Sequence, residues 1–247
     1  MTPLMIAALC LLMVATSFLS GIFGMAGGLV LIGVLLFIMP LPAAMVLHAI
    51  TQMASNGWRA LLWYKHIRWR TVATYISGCT VALLAWSLWQ YVPSKPVALL
   101  MLGLTPFAAR LLPADFRPDP DSPLVSAGYG IACTTLMLLT GATGPLLDQY
   151  FLGGKMERRE IIATKASCQV FGHGSKLAYF GFIIDQNGTI DPVMVSLAIA
   201  ASMLGTTLSK RVLEAMSDKQ FRTWAQRIIT TVSGYYVLYG SYLLLTT

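Results

Sequence analysis

TQMASNGWR, residues 51–59, places hydrogen-bonding and charged side chains in a segment otherwise long and apolar enough to cross a bilayer. The pattern occurs twice. A shift of 117 positions without a gap brings residues 51–59 onto CQVFGHGSK, residues 168–176. Gln52 then meets Gln169, Asn56 meets His173, Gly57 meets Gly174 and Arg59 meets Lys176, while His48 just upstream meets Lys165. The same shift carries the glycine turn GMAGG, residues 24–28, onto GATGP, residues 141–145. Identities between the two blocks are few. The matched positions nevertheless include turn glycines and nearly the whole polar stripe, the features that cost most inside a membrane if they have no role. Two halves of this kind predict a membrane protein with a polar site between its repeats.

Composition points the same way. Of the 247 residues, 56% are hydrophobic and only 11% charged, against about 25% charged in soluble domains. No Asp, Glu, Lys or Arg precedes Arg59, so the first twenty residues lack the basic start of a cleaved signal peptide and are expected to be the first arm of the protein. The net charge of +7 falls in short clusters between apolar segments, which argues against a nucleic-acid face. Cys10, Cys79, Cys133 and Cys168 sit in apolar segments without CxxC spacing and are expected to be packing residues. No metal or other cofactor is expected, and the absence of HExxH, GxSxG or paired carboxylates argues against an enzyme. The six tryptophans, mostly near segment ends, are expected to form an interfacial belt.

The apolar segments are 3–20, 29–39, 43–64, 71–92, 96–112, 124–140, 146–152, 161–184, 192–208 and 223–245. Two of them, 29–39 and 146–152, fall short of the roughly 20 residues of a span. Each follows a glycine turn, and each is read as the return arm of a helical hairpin whose tip re-enters or crosses the membrane. The predicted fold is an all-α polytopic membrane protein of two inverted repeats, each a glycine-tipped hairpin plus three transmembrane helices. Residues 1–113 form the first repeat, 114–123 a cytoplasmic linker and 124–247 the second repeat. Twelve of the seventeen basic residues fall in loops assigned to one side and Lys95 alone in a loop on the other. The positive-inside rule then puts the basic loops in the cytoplasm and both termini outside. A cysteine at Asn187 is expected to react from outside, and one at Met156 is not.

Residues 48, 52, 56 and 59 are spaced four, four and three apart, as are 165, 169, 173 and 176, so each set lies on one helix face. A central Lys or Arg costs about 2.5–3.5 kcal/mol on insertion scales, which favours an inward-facing stripe. Of the three cations, Lys165 is expected to snorkel, and Lys165→Ala to matter less than Lys176→Ala or Arg59→Ala. A helix starting after either glycine turn offers unpaired N–H groups and a positive dipole end, a device for holding anions. The candidate substrate-binding residues are Gly24, Ala26, Gly27, Gly28, Gln52, Asn56 and Arg59, then Gly141, Thr143, Gly144, Gln169, His173 and Lys176, with Thr140 as a further donor. Asp148, which pairs with Leu31 under the shift, and His173 are candidates for proton coupling.

SGIFGMAGGLVLIGVLL, GATGPLLDQYFLGGKMERREIIATKAS and the two similar halves resemble the TauE/SafE, or sulfite exporter, family of bacterial membrane transporters. The resemblance covers essentially the whole chain. It implies secondary transport of sulfite, an organosulfonate or a related sulfur-containing anion by alternating access, across the bacterial inner membrane, without a cofactor. Family turns are often richer in glycine than GATGP, so Pro145 is a departure. A small-carboxylate transporter and an anion channel remain the alternatives. The expected partners are the anion, the lipid bilayer and a coupling proton or ion, with room for a homodimer.

Overall fold

The computed structural model describes residues 2–24, 26–111, 113, 118–152, 156–184 and 191–246; Asn187, Asp185, Lys155 and residues 114–117 of the expected linker lie outside them. Among the described residues there is no strand. The helices are α1 (Pro3–Phe23), α2 (Ala26–Ile38), α3 (Leu41–Leu62), α4 (Trp69–Trp89), α5 (Lys95–Arg110), α6 (Pro123–Thr140), α7 (Gly144–Leu152), α8 (Arg158–Ala178), α9 (Pro192–Ala215) and α10 (Asp218–Thr246). A π-helical turn, Tyr179–Ile184, prolongs α8. Proline opens α1, α3, α5, α6 and α9, where its missing N–H costs nothing. α8 starts with a capping box, in which Glu157 and Glu160 satisfy each other's backbone N–H groups. Inside the apolar helices, hydroxyls such as Thr51, Ser167 and Ser202 bond the carbonyl four residues back, the local solution where water is absent.

The element order matches the predicted segments, with two differences. Among the described residues, five helices are long and apolar enough to span a membrane: α1, α4, α6, the Pro192–Val212 part of α9 and the Thr223–Thr246 part of α10. α3 and α8 have the length but fall below that apolarity, because their polar stripes dilute it. α5, at 16 residues, covers only about 24 Å. The second difference lies at the turns, which are tighter than expected. Gly24 (φ 71°) and Gly141 (φ 85°) take the left-handed side that glycine tolerates. α2 already begins at Ala26, so Gly27 and Gly28 are helical. A side chain on Gly27 would run into the backbone of α1 at Thr16 and Ser20, so close packing rather than ligand approach explains that glycine.

The halves exchange partners in a regular way. α1 packs on α9, and its counterpart α6 on α4; α3 packs on its counterpart α8, and α5 on its counterpart α10. Small residues set the close approaches: a Cβ on Gly78 would clash with Ala127 O, and one on Gly130 with Tyr75 O, so α4 and α6 touch backbone to backbone.

The loops rich in basic residues are gathered by contact. Arg68, at the start of α4, donates from Nε and Nη2 to both oxygens of Glu160 (3.0 and 2.8 Å) and from Nη1 to Asp121 (2.9 Å). Its guanidinium holds the Glu160 carboxyl below the usual carboxylate range. Arg159 and Lys210 lie 5.7 and 6.0 Å from the Trp63 ring centre. Those contacts bring the loops around residues 63–68, 121, 157–160 and 210 to one face. On the other face, Lys95 Nζ donates to Met39 O (3.2 Å) and the Tyr179 hydroxyl to Tyr91 O (2.7 Å). Trp69, Trp89 and Trp224 are exposed as a belt requires, whereas Trp86 is buried edge-on against Tyr179 and departs from the expected belt. Met156 is buried too, which makes it a poor reporter of sidedness. The cysteines are free; Cys79, Cys133 and Cys168 pack around Tyr75 in a cluster between α4, α6 and α8.

Candidate functional site

The two polar stripes meet because α3 and α8 pack against each other with opposed directions, His48 beside Lys176. Both stripes turn inward. His48 and Lys176 are 0% exposed, and Asn56, His173, Gln52 and Gln169 only 2–6%. Arg59 is half-buried in the last turn of α3 and donates from Nη2 to Ser20 O (2.8 Å).

His48 forms the centre of one end. Its Nε2 lies 2.9 Å from Gly28 O, and its Nδ1 2.5 Å from Lys176 Nζ. A carbonyl only accepts, so Nε2 carries the proton and Nδ1 offers its lone pair to the ammonium. Lys176 also donates to Gly141 O (2.9 Å). The chain Gly28–His48–Lys176–Gly141 thus ties both hairpin tips together through one histidine and one lysine. The His173 ring sits edge-on to His48, with centroids 5.4 Å apart. A three-donor ammonium with two acceptors in place has one N–H left for a ligand.

Four buried polar atoms among the expected binding residues have no partner: Gln52 Nε2, Gln169 Oε1, His173 Nδ1 and Thr143 Oγ1. An amide, a hydroxyl and an imidazole left unpaired in a dry interior each cost free energy that a hydrogen-bonding ligand would restore. Gln52 lies against the first hairpin, where a Cβ on Gly28 would stand 3.2 Å from its Oε1.

The other end is built differently. Lys165, expected to snorkel, instead forms an ion pair with Asp148 of α7, and its side chain is only 13% exposed. The first tip closes over that pair, since a Cβ on Gly24 would lie 3.3 Å from Lys165 Nζ. Asp148 also lies within electrostatic reach of Arg59.

Not every expected donor is available. Thr140 gives its hydroxyl to Leu136 O and Ala142 O (2.9 and 2.7 Å), within its own helix end and turn, and Asn56 commits one of its two amide N–H groups to Gln52 O (2.9 Å). Ala26 and Gly144 are buried beside the tips. Sequence reasoning placed His48 on the stripe but did not count it among the binding residues; its position four residues before Gln52 on that face was the available signal.

A cavity of about 250 Å³ opens between α3, α4 and α8, lined by Met53, Ile76, Leu83, Val170 and Phe171 among others. None of the expected binding residues lines it. Its hydroxyls, Thr80 and Ser175, bond Ile76 O and Phe171 O (both 3.0 Å). An apolar wall with no free donor does not hold an anion, so the buried α3–α8 seam is the better candidate.

A family model described as Sulfite exporter TauE/SafE matches residues 9–236. The chain belongs to the TauE/SafE sulfite exporter family. Membership makes this a member of a membrane transport family for sulfur-containing anions, in keeping with its apolar helices. The match runs through both hairpins and both stripe helices. Searches of curated proteins and of solved structures find no match.

Proposed function

We propose that the protein is a secondary transporter of small anions, of which sulfite, an organosulfonate or a related sulfur-containing anion fits best. The observation that carries the reading is Lys176, buried completely with no carboxylate beside it among the described residues, in a seam that also holds unpartnered polar atoms. A buried charge of this kind is costly unless a counter-ion joins it. An oxyanion supplies that charge, and its oxygens accept from Lys176, Gln52, Thr143 and His173.

Transport would proceed by alternating access around the α3–α8 seam, with the halves 1–113 and 124–247 acting as inverted repeats of one hairpin and three spans each. The exchanged packing partners support this, as do the contacts at the hairpins' far ends, Lys95 Nζ donating to Met39 O and the Tyr150 hydroxyl to Pro120 O. The face gathered by Arg68 and Trp63 carries the basic loops and is assigned to the cytoplasm of a bacterial inner membrane, with both termini outside. Proton coupling is assigned to His173, whose Nδ1 has no partner, rather than to Asp148, which Lys165 holds.

The test is counterflow of radiolabelled sulfite in proteoliposomes. Saturable exchange is expected, with loss in Lys176→Ala. Non-saturable flux would instead mark a channel, and exchange of small carboxylates without sulfite would move the substrate class.

A further inference from the structure

The pair His48 and Lys176 maps, under the 117-residue shift, onto Lys165 and Arg59. Each end of the α3–α8 seam therefore repeats the other: one basic residue from each stripe beside one hairpin tip. The ends differ in what the hairpin's return arm presents. At the first tip, α7 supplies Asp148, whose carboxylate is bound to Lys165. At the second, the matching residue of α2 is Leu31, fully buried and three positions beyond Gly28, whose carbonyl takes His48. Three residues along a helix return to the same face, so Leu31 stands toward the His48–Lys176 end as Asp148 stands toward Lys165. Among the described residues no carboxylate pairs with Lys176, whose partners are His48 and Gly141 O, while Gln52, Thr143 and His173 keep unpartnered polar atoms.

We propose that the Asp148 carboxylate occupies, at the first tip, the position that the transported anion takes at the second, so that the chain binds one anion where its repeat provides two places. This rests on the anion-carrier reading above. Asp148 is then a tethered substitute for substrate: it keeps Lys165 from capturing an anion and confines binding to Lys176. Lys165, an ammonium where the other end has a neutral imidazole, is charge-balanced by the residue that fills its anion position. Leu31 leaves the second position open by contributing neither charge nor hydrogen bonds. A bound anion would accordingly lie against the stripe lysine beside a hairpin tip, as Asp148 pairs with Lys165, whose Nζ would lie 3.3 Å from a Cβ on Gly24.

Titration calorimetry with sodium sulfite on the purified full-length protein tests this. One sulfite per chain is expected for the wild type. Asp148→Asn is expected to take two, the second lost again in Asp148→Asn/Lys165→Ala. Leu31→Asp is expected to take none while retaining a cooperative thermal transition. Asp148→Asn binding a single sulfite with wild-type affinity overturns the proposal, and so does a folded Leu31→Asp that binds as the wild type does. Should Leu31→Asp not fold, the Asp148→Asn stoichiometry decides alone. A wild type that binds neither sulfite nor a small organosulfonate overturns the functional reading itself, and this inference with it.

Discussion

At Lys176, burial, hydrogen bonding and register act on a single atom. The ammonium donates to His48 Nδ1 and Gly141 O, and both acceptors are neutral. A charge-assisted hydrogen bond to a ligand is worth about 1.5–3 kcal/mol, so Lys176→Ala should weaken sulfite binding by roughly 10- to 100-fold by that measure. Titration of the purified variant checks it, and unchanged affinity would remove Lys176 from the site. Lys165 behaves differently from the sequence expectation. Removing it strands Asp148, at a cost of roughly 1–3 kcal/mol, less than for a fully buried pair because the carboxylate remains partly exposed. Lys165→Ala should therefore lower the thermal midpoint, and adding Asp148→Asn should recover part of the loss. Additive losses in that double-mutant cycle would mean that the pair contributes nothing.

Among the elements, α8 does most to position the site, and its first turn is held by charge. Arg68 grips Glu160 with two hydrogen bonds, and Glu160 also caps the backbone at Glu157. A carboxyl held below its ordinary range in the folded state contributes stability that is full above its unfolded value of about 4.3 and is lost as pH falls through the depressed folded value. The thermal midpoint should thus drop on acidification below about pH 4.3, and Glu160→Gln should flatten that part of the profile. An identical acid limb in the variant would assign the loss to other groups. The loops that Arg68 and Trp63 gather also give a better labelling pair than the positions suggested by sequence. Ser217 and Ser94 are both exposed and lie in connections assigned to opposite faces. A cysteine at Ser94 should react with an impermeant reagent from the periplasmic side, and one at Ser217 only after the membrane is opened. The reverse pattern would invert the assigned topology.

For the whole molecule, the closed seam is itself informative. With His48, Gln52, His173 and Lys176 nearly or fully inaccessible, an anion reaches them only if the hairpins move relative to α3 and α8. The Gly28–His48–Lys176–Gly141 chain spans that boundary. His173 has an unpartnered buried ring nitrogen, and on the proposed carrier reading it is the residue through which a proton would enter the cycle. A pH gradient should drive sulfite accumulation by the wild type in liposomes, and His173→Gln should bind sulfite yet lose that drive. Gradient-driven uptake persisting in the variant would take His173 out of coupling.

The sequence alone determined the helical class, the order of the segments, the two stripes and their inward direction, because membrane burial penalises every misplaced polar group and the 117-residue shift records where such groups recur. It also carried the family resemblance, through the hairpin and α8 blocks. It did not reveal that Lys165 is spoken for, that Thr140 bonds its own helix end and turn, or that Gly27 is a packing glycine. Those outcomes depend on which atoms of distant segments come within about 3 Å, and spacing along one helix is silent about its neighbours. The pairing of His48 with Lys176, 128 positions apart, exists only because α3 and α8 lie side by side with opposed directions. Tertiary packing decided that Lys165 pairs with Asp148 while Lys176 is held by His48 and Gly141 O.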